Sequence, residues 1–357
     1  MDIENNFADY MQEVLYGDDG FYTKGGGSGR TKDFLTSPEV GDLFGRVLAD
    51  YIDDWYDNLK NPSGAIVIDA GCGPGSLAAS ISRANMKNAS EIEFYLVDIS
   101  AKHRAAVTEK LSKLSPKFSW SVHGTIPECD KPTLVIANEL LDNLIFNIGK
   151  VSEVYSNFEP DYLDKPAYAA FFGISGDIDN LSRSNVAHNI GDFRIPLHVG
   201  LASWIDELMQ ATMNVTDLQL LFFDYIKAIP DMADENWLRM YSSNQRIVGV
   251  DNVLNAIVKG KKGDITCDVT SNDLYVLLDR EGFSKIKIQT QNQWLNDNHI
   301  DLFCVPQKHQ SSYDQLIQFS THGSDVDMSK SFMNEREVLL DENGLGSFQV
   351  LSAVRQV

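Results

Sequence analysis

Ala65-Ile66-Val67-Ile68-Asp69-Ala70-Gly71-Cys72-Gly73-Pro74-Gly75 is the stretch from which the fold is read. Its first four residues are apolar without alternation and rich in β-branched side chains, as in a strand covered on both faces. Three glycines at alternate positions then turn the chain, and Leu77, Ile81 and Ala84 carry on at helical spacing. Glycine is needed where the backbone turns sharply and must approach a ligand with no β-carbon in the way. The spacing separates two kinds of loop. A dinucleotide fingerprint places glycines first, third and sixth, and the sixth place here is Ser76. Glycines at the first, third and fifth places behind an acidic residue describe something else.

Outward from that loop the same rhythm repeats. Short apolar runs at Phe94–Val97, Phe118–Val122, Leu134–Ala137 and Leu218–Phe223 alternate with amphipathic stretches. That pattern predicts a doubly wound α/β domain with a parallel sheet. A helix from Leu274 to Arg280 stops at Gly282, and Lys285–Gln289 and Phe348–Val354 read as two last strands, closing the sheet as an antiparallel pair. Residues 1–60 form a helical cap: Phe7, Met11, Val14 and Leu15 on one helix, then the loop Gly25–Gly29, then Val40, Leu43, Phe44, Val47, Leu48 and Tyr51 on a second. The Asn61-Pro62-Ser63-Gly64 turn ends that unit. Residues 61–357 form the α/β domain, with insertions at about 150–200 and 227–262 and an extra strand at Tyr168–Phe172. The Gly25–Gly29 loop is expected to order over bound ligand.

The chain has 357 residues with 30 Lys and Arg against 51 Asp and Glu, a formal charge of -21. Such a surface repels phosphate backbones and anionic lipid, which argues against nucleic acid or membrane as partner. The longest apolar runs, such as Leu218–Phe223, are far short of the roughly 20 residues a membrane helix needs. Cys72, Cys129, Cys267 and Cys304 are scattered with no paired spacing, so neither a disulfide framework nor a metal site is expected. Free thiols and an acidic N-terminus without a targeting pattern give a soluble, cytoplasmic protein.

The acidic-x-Gly-x-Gly-x-Gly arrangement resembles the loop of class I S-adenosylmethionine-dependent methyltransferases, whose fold is a Rossmann-like doubly wound sheet. In that resemblance Asp69 reaches the methionine ammonium, Gly71, Gly73 and Gly75 form the turn, and Asp98, with Ile99 beside it, ends the next strand where both ribose hydroxyls can be bound. The cofactor is then S-adenosylmethionine and the product S-adenosylhomocysteine. A narrower likeness runs from Phe7 to about Leu295. Phe7-Ala8-Asp9-Tyr10-Met11, Leu15-Tyr16, Gly20-Phe21-Tyr22, Asp33-Phe34-Leu35-Thr36-Ser37-Pro38-Glu39-Val40 with Phe44-Gly45, and Asn138-Glu139-Leu140-Leu141-Asp142 come in the order of the MidA family of methyltransferases. Phe223-Asp224-Tyr225, Gly263-Asp264-Ile265-Thr266, and Thr290-Gln291 with Trp294-Leu295 continue it. The chain departs from that family in the glycine loop, where Asp69 and Cys72-Gly73-Pro74 stand in place of a glutamate-first wording, and at Asn143-Leu144-Ile145, where Ala-Leu-Pro is usual. It departs again at Ile226, where a glycine is expected, and after Leu238-Arg239-Met240-Tyr241, where a histidine is expected and Ser, Ser, Asn244 and Gln245 follow. Mitochondrial members of the family serve complex I assembly, and members are characterised as protein arginine methyltransferases.

Methyl transfer is an in-line displacement at a sulfonium, so the enzyme aligns and desolvates the nucleophile. Asn138, Glu139 and Asp142 follow the fourth strand and belong to the rim where an acceptor would bind. Paired carboxylates hold a guanidinium by charge-assisted bonds, and Glu39, placed by Pro38, can join them. Glu139, Asp142 and Glu39 are therefore the candidate catalytic residues, with Asn138 grouped with the cofactor site. Each also has a plainer role: Asn138 as a cap, Glu139 as complement to a helix dipole, Glu39 as the start of its own helix. His123 at the end of the third strand is read as a satisfied rim histidine before an adenine contact or a base, and Cys72 as small-residue packing. Three functions follow: an arginine-directed protein methyltransferase acting on a cationic acceptor, a small-molecule O- or N-methyltransferase, and a non-catalytic cofactor-binding assembly factor.

Overall fold

The computed structural model describes residues 4–26, 36–60, 62–156, 191–242, 245–304 and 325–356. The predicted strand at Tyr168–Phe172 and most of the Gly25–Gly29 loop lie outside them. Contacts divide the chain into two compact units. One comprises Met1–Gly26, Leu140–Glu207 and Asp224–Gly282; the other comprises Gly27–Glu139, Leu208–Phe223 and Phe283–Val357.

The second of these is the sheet unit. Its strands are β1 (Ala65–Ala70), β2 (Ile92–Val97), β3 (Ser119–His123), β4 (Thr133–Asn138), β5 (Asp217–Asp224), β6 (Ser284–Thr290) and β7 (Gln349–Gln356). They lie in the order β6-β7-β5-β4-β1-β2-β3. β1 pairs in parallel with β2 and β4, β2 with β3, and β4 with β5, while β6 and β7 are antiparallel. This is the mixed seven-stranded sheet that the apolar runs predict. Every residue of β1 is buried, as are Thr133–Ala137 of β4, which is why these runs show no alternation. Because β1 sits between β2 and β4, the strand order reverses beside it. In a doubly wound sheet that reversal opens a crevice at the carboxyl ends of the strands.

Three helices matter for the crevice. Helix α1 (Leu43–Asp57) buries Leu43, Phe44, Val47, Leu48 and Ile52 at three- and four-residue spacing. Its Phe44 ring meets Phe223 of β5 edge-on, with centroids 5.2 Å apart. Helix α2 (Ser76–Arg83) leaves the glycine loop, and α3 (Ala101–Leu114) begins after β2 with Ser100 as N-cap. Helix α1 crosses α2 at Gly45, where an added β-carbon would lie 2.0 Å from Ser80 Oγ and 2.8 Å from the Ser80 carbonyl carbon.

In the other unit, Leu238–Ser242 pairs antiparallel with Gln245–Val248 and with Asp264–Cys267. Asn147–Lys150 pairs antiparallel with Arg194–Leu197, and Ile226–Lys227 in parallel with Val269–Thr270. The first helix, Phe7–Met11 continued to Tyr16, packs Phe7, Met11 and Leu15 into a core with Phe146, Trp237, Leu238 and Met240. Among the described residues no helix is long and apolar enough to cross a membrane.

The α1–α2 crossing yields a stability prediction. Gly45→Val should destabilise the protein by about 1–3 kcal/mol, because Ser80 is backed by its own helix and cannot retreat. Urea melts of the two proteins measure it; equal midpoints would mean that the helices part without cost.

Candidate functional site

The left-handed backbone of the loop after β1 explains its glycines: φ is +69° at Gly71, +51° at Gly73 and +76° at Gly75. At Gly75 there is a steric reason as well, since an added β-carbon would sit 2.3 Å from Val107 Cγ2 on α3. Gly73 differs: a β-carbon there would meet nothing within 4 Å. Its hydrogen therefore faces open space, as a loop that receives a ligand requires. The Cys72 side chain is buried, and burial, with Asp69 and Asp98 nearby, holds its thiol well above the ordinary value. That is the behaviour of a packing residue.

Two carboxylates flank the loop. Asp69, in β1, is 4% exposed, and its Oδ2 has no hydrogen-bond partner among the described residues. Burial, with the neighbouring Asp98 charge, pushes its pKa up to about 7. Asp98, at the end of β2, is better satisfied. Its Oδ2 accepts the Gly73 N–H at 2.8 Å and its Oδ1 accepts the Ser100 N–H at 2.7 Å, a local turn of the Asp-x-Ser type. His103 Nδ1 lies 3.3 Å from Asp98 Oδ2, and Arg104 Nη1 donates to the carbonyls of Asp98 and Ile99, both at 2.8 Å. Ile99 is itself an exposed large hydrophobic side chain, at 66%. The structure thus brings Asp69, Gly71, Gly73, Gly75, Asp98 and Ile99 to one end of the sheet.

Asn138 and Glu139 close β4 beside them. Asn138 Nδ2 donates to Glu139 Oε1 at 3.3 Å, while its Oδ1 is buried and unmatched among the described residues. Glu139 has φ +52°, a left-handed conformation rare for a residue with a side chain, and its N–H donates to the Phe223 carbonyl at 2.8 Å. Glu39 follows Pro38 in the short Ser37–Val40 helix and is half-buried; its charge is felt by Lys110 of α3. Asp142 falls in the other unit. It is 3% exposed there, and its carbonyl accepts the Cys267 thiol. His123 is 2.8 Å from Ser121 Oγ within its own strand, and burial lowers its pKa. Ser100, His103 and Arg104 were not anticipated. The signal for them was the position of Ser100 two residues after an acidic strand end, opening a helix.

Residues 47–269 match Methyltransf_28, a family described as "Putative S-adenosyl-L-methionine-dependent methyltransferase". The chain belongs to this family. It is also 32% identical over 123 residues to the Drosophila melanogaster protein arginine methyltransferase NDUFAF7 homolog, mitochondrial, covering 34% of this chain and 26% of that one. To the Xenopus tropicalis protein arginine methyltransferase NDUFAF7, mitochondrial, it is 29% identical over 189 residues, 44% of each. The chain thus spans about a quarter to under half the length of these curated relatives. A Burkholderia thailandensis crystal structure bound to S-adenosyl-homocysteine superposes with a TM-score of 0.65, 20% identity, and coverage of 98% of this chain and 87% of that one. That likeness shows the fold. The family's cofactor, S-adenosyl-L-methionine, fits the residues present: Gly73 leaves room, and the bare oxygen of Asp69 suits an ammonium.

Two measurements test the assignment. Gly73→Leu should leave the melting behaviour near wild type, within the ~1–2 kcal/mol of a strained left-handed residue, while calorimetric cofactor binding is lost; retained binding would move the ligand elsewhere. The second is pH dependence. Asp69 must be ionised to pair with an ammonium, so its folded-state pKa near 7 is lowered by the ligand and binding releases a proton. Affinity should be flat above about pH 7 and fall about tenfold per pH unit below it, and Asp69→Asn should flatten the slope. A wild-type profile flat from pH 5.5 to 8 would count against an ammonium at Asp69.

Proposed function

We propose that the protein transfers a methyl group from S-adenosyl-L-methionine to a guanidinium nitrogen of an arginine in a protein substrate. When bound, the cofactor supplies an activated methyl on a sulfonium. The chain's own residues do the rest. Asp69 and Asp98 hold the two polar ends of the cofactor, the glycine loop lets the backbone approach it, and Ile99 offers an apolar face to the adenine. Glu139 is proposed to take two N–H groups of the guanidinium, drawing its charge away from the attacking nitrogen. Glu39 adds a second carboxylate from the cap side of the same unit. The proposal does not lean on Asp142, which is set in the other unit.

The observation that carries this reading is the backbone of Glu139. A glutamate held at φ +52° is strained where glycine would be at ease, and such strain collects where a side chain must point in one direction. Support comes also from the relatives named as arginine methyltransferases and from the net charge of -21, which favours a cationic protein acceptor and disfavours nucleic acid and anionic membrane. The four cysteines are free and buried, in keeping with a reducing compartment, and we assign the protein to the cytoplasm.

The test uses radiolabelled donor, arginine-rich and arginine-free protein acceptors, and Glu139→Gln. Label should enter arginine. The variant should lose about 10²-fold or more in turnover, the scale for removing one aligned charged group, with cofactor affinity within about twofold. Labelled small molecules with unlabelled protein would replace the acceptor class, and cofactor binding without transfer to any acceptor would favour a binding protein.

A further inference from the structure

The buried face of α3 carries one residue that packing does not ask for. His103, Val107 and Leu111 follow at four-residue spacing, and all three are buried. Val107 packs against Gly75 and Leu111 continues the stripe, so an aliphatic side chain is the expected occupant of position 103. An imidazole stands there instead, with Nδ1 3.3 Å from Asp98 Oδ2. Because a carboxylate oxygen only accepts, the imidazole proton sits on Nδ1. Nε2 is buried as well, and it has no partner among the described residues. An unmatched buried polar nitrogen lowers stability, so the reason for the histidine lies outside the packing of the helix.

We propose that His103 is a positioning residue that holds the Asp98 carboxylate for the ribose hydroxyls of the cofactor. The proposal rests on the assignment of Asp98 to the ribose. The two backbone donors, Gly73 N–H and Ser100 N–H, each take one oxygen of Asp98. Both come from loop segments, and neither is anchored on a helix face. His103 adds a donor from a packed helix, and its own N–H donates to Ser100 Oγ at 3.5 Å, so Asp98, Ser100 and His103 close a ring. The imidazole Nδ1 thus gives the Asp98 carboxylate a side-chain donor beside the two backbone ones. Arg104 is engaged by the Asp98 and Ile99 carbonyls and leaves that task to His103.

The experiment compares His103→Leu, His103→Asn and Asp98→Asn of the full chain by calorimetric titration and thermal melts. The ligands are S-adenosylhomocysteine and its 2′,3′-dideoxy counterpart, which lacks the ribose hydroxyls. His103→Leu should weaken S-adenosylhomocysteine by about tenfold, the scale of one hydrogen bond to a charged group, with an unchanged or raised melting temperature. It should bind the dideoxy ligand as the wild type does. His103→Asn keeps an N–H donor and should recover most of the loss, and the Leu variant should add nothing on top of Asp98→Asn. Unchanged affinity in His103→Leu, or an equal loss for both ligands with a lowered melting temperature, overturns the proposal. If Asp98→Asn binds S-adenosylhomocysteine like the wild type, the ribose assignment itself fails, and the role of His103 with it.

Discussion

The hydrogen bond from Gly73 N–H to Asp98 Oδ2 joins the ends of two parallel strands, and the geometry of the site follows from it. β1 and β2 are held in register up to Ala70 and Val97, and beyond that point the backbone has no ladder to follow. Gly71 and Cys72 still donate to the Val97 carbonyl, which folds the loop back over the end of β2. The Asp98 carboxylate then receives the next turn. Left-handed backbone is required at all three glycines for this to happen, and Val107 leaves no room for a β-carbon at Gly75. At Gly73 the left-handed conformation comes with open space instead, so within this loop Gly75 is held by packing and Gly73 is not.

The pair of carboxylates beside that loop is unbalanced in a way that folding alone does not favour. The Asp98 carboxylate has three donors in reach, from Gly73, Ser100 and His103. Asp69 keeps a bare buried oxygen. Burial, with the neighbouring Asp98 charge, raises the Asp69 pKa, so the cost of the pair falls on the less satisfied carboxyl. A cation brought to Asp69 relieves both the desolvation and the repulsion at once. The other unit shows the contrasting case. Arg239, 3% exposed, is paired with Asp268, accepted by Thr266 Oγ1 at 3.3 Å and stacked over Tyr225 at 4.5 Å, while Lys227 takes the second Asp268 oxygen at 2.8 Å. There the chain supplies the countercharge itself, and the cluster has the character of a structural ion network, which gives specificity of packing more than stability.

Much of this was legible in the sequence because it depends on backbone. Seven strands, the antiparallel closing pair and the glycine loop all follow from apolar runs and turn chemistry, which act locally. The side-chain environment was harder to read. Nothing in the linear order says that Asp98 would be shared by Gly73, Ser100 and His103, since these contacts bring together residues up to 25 apart. The scattered MidA-like segments are the instructive case. Tyr16 donates to the Asn143 carbonyl at 2.9 Å, Tyr22 to Asp264 at 3.0 Å, Asn143 to Asp264 at 3.3 Å and to the Ile265 carbonyl at 3.2 Å, and Leu141 N–H to Asp224 at 2.8 Å. Segments that read as separate words form one hydrogen-bonded knot around the 140–143 turn. Burial pushes the pKa of Asp224 up to about 6 against the backbone N–H groups of Leu141, Asp142 and Tyr225, which lower it.

The chain passes between its two units directly after the ends of β4 and β5, at Glu139–Leu140 and Phe223–Asp224. Of the departures from the MidA pattern, those at Asn143-Leu144-Ile145, at Ile226 and after Tyr241 fall in the unit that holds Leu140–Glu207 and Asp224–Gly282, and those at Asp69 and Cys72-Gly73-Pro74 fall in the sheet unit. Gly71, Gly73, Gly75 and Asp98 keep the class I pattern within the sheet unit. The difference has a physical cause. Donor binding is written in φ angles and backbone N–H groups, where few residues other than glycine are tolerated. Groups that meet an acceptor do so through side chains, which can be exchanged with no strain in the main chain. A backbone pattern of this kind can persist while side chains elsewhere in the chain are exchanged, and Asn143 is one such side chain. Its Nδ2 donates to Asp264 and to the Ile265 carbonyl inside the fold.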